Sequence, residues 1–365
     1  MKSKSPKHSA DDLVAEAFEL QERGDAVAAS RLYREALKLE PEHHAAMNLL
    51  AMTLIDRDVK AAIDLVEQAI ALKPRVAWYY LTLGRAHAAT GDDARAVAAM
   101  EVSVQLDRSS AIPLYDLAGL HLRNHRVEPA IAALRDVLVI EPEHPRAQYL
   151  LASLTGEHVE TAPAEYVTEL FDSYAPNFEA HLQQGLQYRA PEQLAAMVAA
   201  DGTDGPRAWQ VVDLGCGSGL AGSAFREVAR HLVGSDLSPK MIEMAQARHV
   251  YDELHVEDLR ATLSRTQNVD LIVAADVFVY IGALDASFAA TATALRPGGR
   301  FAFSTESHDG DGVQLRPSSR YAHADTYIRV LAETHGFEVR TATEVALRLE
   351  HGTPIPGILY LLLRR

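Results

Sequence analysis

Val211-Val-Asp-Leu-Gly-Cys-Gly-Ser-Gly219 decides how this chain is read. Two β-branched residues and an apolar neighbour read as the end of a buried parallel strand. Three glycines at alternate positions follow at once. Glycine tolerates positive φ and lets a ligand come close to the backbone. Leu220 to Leu232 then shows helical spacing of apolar and polar residues. Strand, glycine turn and helix in this order form the place where an open α/β sheet holds a nucleotide-like ligand, outside the carboxyl ends of its strands. The spacing is Gly-x-Gly-x-Gly, not the Gly-x-Gly-x-x-Gly of pyrophosphate-binding folds.

The neighbouring residues support this reading. A second strand, His231-Leu-Val-Gly-Ser235, ends in Asp236. That aspartate follows the glycine turn by about 20 residues, where an acidic side chain accepts the hydroxyls of a ribose. Ser238 suits the N-cap of the next helix and Pro239 its first position.

Asp213-Leu-Gly-Cys-Gly-Ser-Gly219, Asp236-Leu-Ser-Pro-Lys-Met241 and Leu295-Arg-Pro-Gly-Gly-Arg300 resemble the successive motifs of class I S-adenosylmethionine-dependent methyltransferases. The resemblance runs from about residue 160 to the last residue. It implies a Rossmann-like, doubly wound, seven-stranded α/β domain with S-adenosylmethionine as cofactor. Asp213, Gly215, Gly217 and Gly219 match the cofactor turn. Asp236 with Leu237 matches the ribose position, and Asp258 with Leu259 the adenine position. Asp258 equally suits the N-cap of a helix from Leu259 to Arg265. The segment Phe171-Asp-Ser-Tyr-Ala-Pro-Asn-Phe178 looks like the lid that such enzymes place before the first strand. It resembles in particular bacterial methyltransferases that carry tetratricopeptide repeats. On that resemblance Tyr174, Phe178, Tyr188 and Arg189 line the pocket, with Tyr174 at the methionine end of the cofactor and Arg189 on its carboxylate.

Glu253 to Val256 reads as the third strand and Val269 to Ala275 as a central fourth. The latter delivers Asp276-Val-Phe-Val-Tyr280, which the resemblance puts beside the transferred methyl group. Asp276 and Tyr280 are therefore candidate catalytic residues, and Asp276 a cofactor contact too. No Asn/Asp-Pro-Pro-Tyr motif stands there, which argues against methylation of DNA adenine or glutamine. Pro297 and its glycines read as a helix stop and turn before a fifth strand, Arg300 to Thr305. Glu306 to Arg320 reads as a substrate lid. His308 and His323 are candidate general bases. Phe337 to Leu347 and Ile355 to Leu363 read as two final antiparallel strands, with His351 to Gly357 connecting them.

The first part of the chain reads differently. Pro41, Pro74, Arg108 and Pro142 end helical segments at intervals of 33, 34 and 34 residues. Small residues recur at matched places: Ala17, Ala51, Gly84 and Ala118, then Ala29, Ala62, Ala96 and Ala130. A helix-turn-helix period of 34 is the tetratricopeptide pattern. The chain resembles an array of four such repeats with a capping helix at Pro145 to Leu154, forming an all-α superhelix. Its concave face suits a peptide or protein partner, or serves for packing or a homodimer. Trp78, Tyr79 and Tyr80 read as intra-repeat core. Glu42-His-His44, His121 and His125 read as surface, and no metal site is expected.

The expected division is a disordered tail at 1–10, repeats at 11–155 and a methyltransferase domain at 156–365, with lid helices over 164–200. Thr155 to Pro163 is the linker. A net charge of −15 argues against nucleic acid or an anionic membrane surface as a general partner. The single cysteine, Cys216, fits a reducing, cytoplasmic setting and reads as packing under the glycine turn. No apolar run is long enough to span a bilayer. The function expected is methyl transfer to an O, N or S nucleophile of a small molecule or protein. The alternatives are a repeat adaptor with a vestigial cofactor fold, and aminopropyl transfer, for which no paired acidic polyamine site is evident.

Overall fold

The computed structural model describes residues 9–175, 178–180, 188–202, 205–350 and 352–365. The expected tail up to His8, the helix break at Pro176, part of the 164–200 segment, part of the Asp201–Pro206 loop and His351 lie outside the described residues. Two compact units divide the chain, Met1–Gln148 and Tyr149–Arg365.

The first unit is built of paired helices: α1 (Ala10–Glu22) with α2 (Ala26–Leu39), α3 (His44–Leu54) with α4 (Val59–Leu72), α5 (Ala77–Ala89) with α6 (Asp93–Leu106), and α7 (Ile112–Arg123) with α8 (Val127–Ile140). A ninth helix, α9 (Pro145–Thr155), crosses the division. Asp25, Asp58 and Asp92 start the second helix of their pairs by accepting the N–H three residues on, at 2.9, 3.1 and 3.1 Å. The recurring alanines are fully buried. At Gly84 an added Cβ would lie 2.6 Å from Met100 Cγ, so helices α5 and α6 approach too closely for a side chain there.

Two expectations are corrected here. Ser9 and Ala10 belong to α1 rather than to a tail, because Ser9 and Asp12 cap each other reciprocally at 3.1 and 2.9 Å. Trp78 is exposed, although Tyr79 is buried against His44 at 2.6 Å. Successive helical residues point about 100° apart, so the three neighbouring aromatics cannot share one face.

The second unit holds α10 (Ala164–Tyr174), α11 (Phe178–Ala180) and α12 (Ala190–Asp201), then β1 (Trp209–Leu214), α13 (Leu220–Phe225), β2 (Ala229–Asp236), α14 (Pro239–Ala247), β3 (Glu253–Val256), α15 (Leu259–Arg265), β4 (Val269–Ala274), α16 (Asp285–Ala294), β5 (Leu295–Ser307), β6 (Val313–Leu315), β7 (Tyr321–His323), α17 (Asp325–Thr334), β8 (Phe337–Glu350) and β9 (Thr353–Arg364). Strands run in the order β3-β2-β1-β4-β5-β9-β8, parallel up to β5 and antiparallel beyond it. These are the seven strands expected. Phe278, Phe288, Phe301, Phe303 and Phe337 fill one core of the unit, and Trp209, Phe225, Leu232, Leu271 and Leu361 another. Strands buried on both faces explain the near-continuous apolar runs.

Three local readings change. The helix expected over Leu220–Leu232 stops at Phe225, and Ala229 onward extends as β2 beside β1, with Ala229 opposite Trp209 and Leu232 opposite Val211. β5 begins at Leu295, so Pro297 and its glycines form a bulge within the strand, where the register to β4 shifts. The Glu306–Arg320 stretch is not an open loop throughout. β5 outruns β4 there, and the β6–β7 hairpin pairs onto its end through Glu306↔Ala322 and Ser307↔His323.

Candidate active site

The glycine turn links β1 to α13. Gly215, Gly217 and Gly219 have φ of 59°, 52° and 88°, a region L side chains avoid. At Gly215 a Cβ would meet Val277 at 2.7 Å, whereas at Gly217 the nearest atoms, of Phe178, are 3.9 Å away. The turn is fastened to β2. The Cys216 N–H donates to the Ser235 carbonyl and the Gly217 N–H to Asp236 Oδ2, both at 2.9 Å. Asp236 Oδ1 accepts the Ser238 N–H at 2.9 Å. Burial raises the Asp236 pKa, and these backbone donors offset part of the rise. Burial likewise pushes the Cys216 thiol up, so it packs rather than reacts.

A cavity of about 1190 Å³ opens above this turn. Gly215, Gly217, Asp236, Leu237, Asp258, Leu259 and Asp276 line it, as do Tyr174, Phe178, Tyr188 and Tyr280. Asp258 also caps α15, its Oδ1 accepting the N–H groups of Arg260 and Ala261 at 2.7 and 2.8 Å. Helix α10 closes one side. Phe171 meets Phe178 and Tyr280 edge-on, with centroids 6.0 and 5.6 Å away, and Tyr174 meets Phe178 at 5.4 Å. Asp172 ties α10 to the turn after β2 by accepting the Ser238 hydroxyl, while Lys240 Nζ donates to its carbonyl at 3.0 Å.

Five expected residues stand outside the lining. Asp213 lies behind the turn, where Tyr251 donates to its Oδ2. At Gly219 a Cβ would face Arg248 and Tyr251 at 3.0 Å, not the cavity. Arg189 is exposed at the start of α12. His323 is fully buried in β7, its Nε2 donating to the carbonyls of Ile281 and Gly282 at 3.0 and 3.1 Å. Burial lowers its pKa to about 4. That histidine holds the loop after β4 and does not face the cavity as a base. His308 likewise faces its own turn, accepting the Gly310 N–H at 3.0 Å.

Sequence reasoning missed a charged wall. Arg348 is almost fully buried and reaches three carboxylates: Asp276 at 3.3 Å, Glu350 at 2.9 Å, and Glu306. Arg320 pairs with Glu350, and Arg316 with Glu306 at 2.8 Å. Arg320, Arg348, Glu350 and Asp276 line the cavity. A register shift between Ala346 and Arg348 turns Leu347 and Arg348 both inward. A visible signal was Arg348 and Glu350, opposite charges two residues apart at the end of β8. Asp276 sits at φ 62°, with its N–H donating to Ser304 Oγ at 2.8 Å.

Comparison with known proteins gives two family matches. Residues 211–299 match the model of a methyltransferase domain, and residues 14–74 and 56–111 that of the tetratricopeptide repeat. Among curated relatives, a malonyl-[acyl-carrier protein] O-methyltransferase of Erwinia billingiae is 26% identical over 41% of this chain and 57% of its own. A ubiquinone biosynthesis O-methyltransferase of Cupriavidus pinatubonensis is 29% identical over 29% of this chain and 44% of its own. The chain thus spans about half the length of these relatives. Magnesium protoporphyrin IX methyltransferase from Synechocystis PCC 6803, solved with bound SAH, is 17% identical, covering 55% of this chain and 99% of its own, with a TM-score of 0.44. MamA from Desulfovibrio magneticus RS-1 is 24% identical, covering 38% of this chain and 78% of its own, with a TM-score of 0.35. Metal-binding groups of His, Cys, Asp or Glu are absent among the described residues, and no described helix is long and apolar enough to cross a membrane. The chain carries tetratricopeptide repeats followed by a domain of the methyltransferase family.

Proposed function

We propose that the second unit binds S-adenosylmethionine and passes its methyl group to an oxygen, nitrogen or sulfur nucleophile of a small molecule or protein. The observation that carries this is Asp236, which holds the Gly217 N–H and lines the cavity at the carboxyl end of β2. The residues fit the cofactor. Gly215, Gly217 and the adjoining backbone give close approach, Asp236 with Leu237 takes the ribose, and Asp258 with Leu259 takes the adenine. Asp213 and Gly219 serve from behind the turn. Tyr174 stands at the methionine end.

When bound, the cofactor supplies an electrophilic methyl group on a sulfonium. The chain then has to place a nucleophile in line with it and exclude water. Asp276 and Tyr280, at the end of β4, are the residues proposed to position the acceptor. The working division is repeats over 11–155, and a methyltransferase domain over 156–365 with a lid over 164–200. We assign the repeats to a protein or peptide partner, or to self-association, and the protein to the cytoplasm, where the buried free thiol of Cys216 stays reduced.

Calorimetric titration of the full chain with S-adenosylmethionine and S-adenosylhomocysteine tests the reading. Micromolar binding of both is expected. A folded protein that binds neither is instead an adaptor with a vestigial cofactor fold.

A further inference from the structure

The cavity is larger than the roughly 300–1,000 Å³ of an ordinary single-ligand pocket, so it has room for an acceptor beside the cofactor. The cofactor position proposed above occupies the end built from the glycine turn, Asp236 and Asp258. The rest of the lining is of two kinds. One is apolar: Val167, Leu170, Phe171, Ile281, Ala283 and Ala286. The other is the arginine–carboxylate wall.

The two cavity arginines differ. Arg348 is spent on protein partners, its Nε, Nη1 and Nη2 bonded to Glu350, Asp276 and Glu306. Arg320 is more open, with a quarter of its side chain exposed. Among the described residues it donates to Glu350, and Tyr280 is an electrostatic neighbour. A guanidinium carries five N–H donors in a planar fork suited to carboxylates, more than this pairing uses. Arg316, Arg320 and Arg348 together balance Glu306, Glu350 and Asp276, so the wall is neutral as a whole and what Arg320 offers a ligand is its remaining N–H donors.

The possible proton acceptors on this wall are also committed. Glu350 is pushed up by burial, but Arg320 and Arg348 outweigh that and hold it below the ordinary carboxylate range. Asp276 is paired with Arg348, and His323 and His308 face backbone groups elsewhere. An acceptor that arrives already ionised needs no base.

We infer that the acceptor is an organic acid with an apolar body, whose carboxylate is seated by Arg320 and methylated on oxygen. The inference rests on the methyltransferase reading above. In the reaction a carboxylate oxygen gives a lone pair to the sulfonium-bound methyl carbon. The C–O bond forms as the C–S bond breaks, and the electron pair stays on sulfur. A methyl ester and a neutral thioether result, and no proton moves.

The test uses the full chain and labelled methyl donor with octanoate and phenylacetate, set against octylamine, phenethylamine, octanol and octanethiol. A methyl ester releases labelled methanol in alkali, whereas N-, S- and ether-bound methyl does not. Alkali-labile label with an acid is the expected result. Calorimetry is run alongside on the chain loaded with S-adenosylhomocysteine. Arg320→Gln should weaken binding of the acid by roughly 10- to 100-fold and leave S-adenosylhomocysteine binding unchanged, with Arg320→Lys between the two. Alkali-stable label, no labile label with either acid, or acid binding indifferent to Arg320→Gln overturns the inference. Failure to bind S-adenosylhomocysteine overturns the methyltransferase reading instead.

Discussion

The Tyr251 hydroxyl donates to Asp213 Oδ2 at 2.6 Å while it accepts the Gly222 N–H at 3.1 Å. One hydroxyl thus joins the strand that enters the glycine turn to the helix that leaves it. The ring needs glycine around it. At Gly234 a Cβ would lie 2.8 Å from it, at Gly219 3.0 Å, and at Gly222 it would overlap the ring outright. Tyr251→Phe leaves a buried carboxyl and a backbone N–H without this partner, at a cost of about 1–3 kcal/mol. We expect a lower melting temperature and weaker S-adenosylmethionine binding, although Tyr251 does not line the cavity. Unchanged values in both measurements would remove Tyr251 as a support of the turn.

Asp213 itself carries a pH dependence. Burial pushes its pKa up to about 7, and the neighbouring Asp236 charge adds to this against the lowering effect of the Tyr251 hydrogen bond. In the unfolded chain a carboxyl releases its proton near pH 4. Between about pH 4 and about 7 the folded state therefore binds more protons than the unfolded state. By linkage its stability contribution falls as pH rises through that window. Asp213→Asn cannot titrate, so its melting temperature relative to wild type should climb from pH 5 to pH 7.5. A constant difference across that range would show that Asp213 is ionised throughout.

His323 acts with the opposite sign. Its pKa is lowered by burial to about 4, whereas an unfolded histidine titrates near 6.5. The unfolded state binds the extra proton between these values, so stability is lost as pH falls from about 6.5 toward about 4. His323→Gln keeps an N–H donor for the Ile281 and Gly282 carbonyls without the titration. The advantage of wild type over this variant should shrink between pH 7 and pH 5 in thermal melts. An advantage independent of pH would place the charge change elsewhere.

Much of this architecture was legible because its signals are local. The glycine turn, Asp236 at the end of β2, and the capped α15 each follow from a few adjacent residues. The repeats showed through their period. What stayed hidden depends on distance along the chain. Arg348 meets Glu306 from 42 residues away and Asp276 from 72, so no short motif announces the wall. His323, a candidate base by sequence, is set in a buried strand by the β6–β7 hairpin. Arg189, carried over by resemblance, is exposed at the start of α12 and outside the cavity lining, which sequence cannot show.

The helix glycines of the repeats separate two effects of one substitution. Gly84 and Gly119 both lie inside helices, α5 and α7, where alanine is intrinsically better by about 1 kcal/mol. Around Gly119 no atom lies within 4 Å of an added Cβ. Gly119→Ala should therefore raise the melting temperature. At Gly84 the Cβ would press on Met100 Cγ at 2.6 Å and on the Ala96 carbonyl at 3.2 Å, and overpacking of this kind costs about 1–3 kcal/mol. Gly84→Ala should lower it, and Gly84→Val lower it further. Equal shifts at the two sites would mean that α5 and α6 are not held this closely.

Asp236 offers the sharpest test of the cofactor end. Its carboxylate faces the cavity while holding the Gly217 and Ser238 N–H groups. Losing a charge-assisted hydrogen bond to the ligand costs about 1.5–3 kcal/mol, so Asp236→Ala should weaken S-adenosylmethionine binding by roughly 10- to 150-fold. The loop would also lose its tie, which confounds the alanine variant. Asp236→Asn removes the charge but keeps one acceptor oxygen, so it retains only one of the two backbone N–H bonds and sets its NH2 against the other N–H. The asparagine variant should melt between the alanine variant and wild type yet bind the cofactor at least tenfold more weakly in calorimetry. Asn binding as tightly as wild type would leave Asp236 as a support of the turn alone, and the ribose would have to be held by another group.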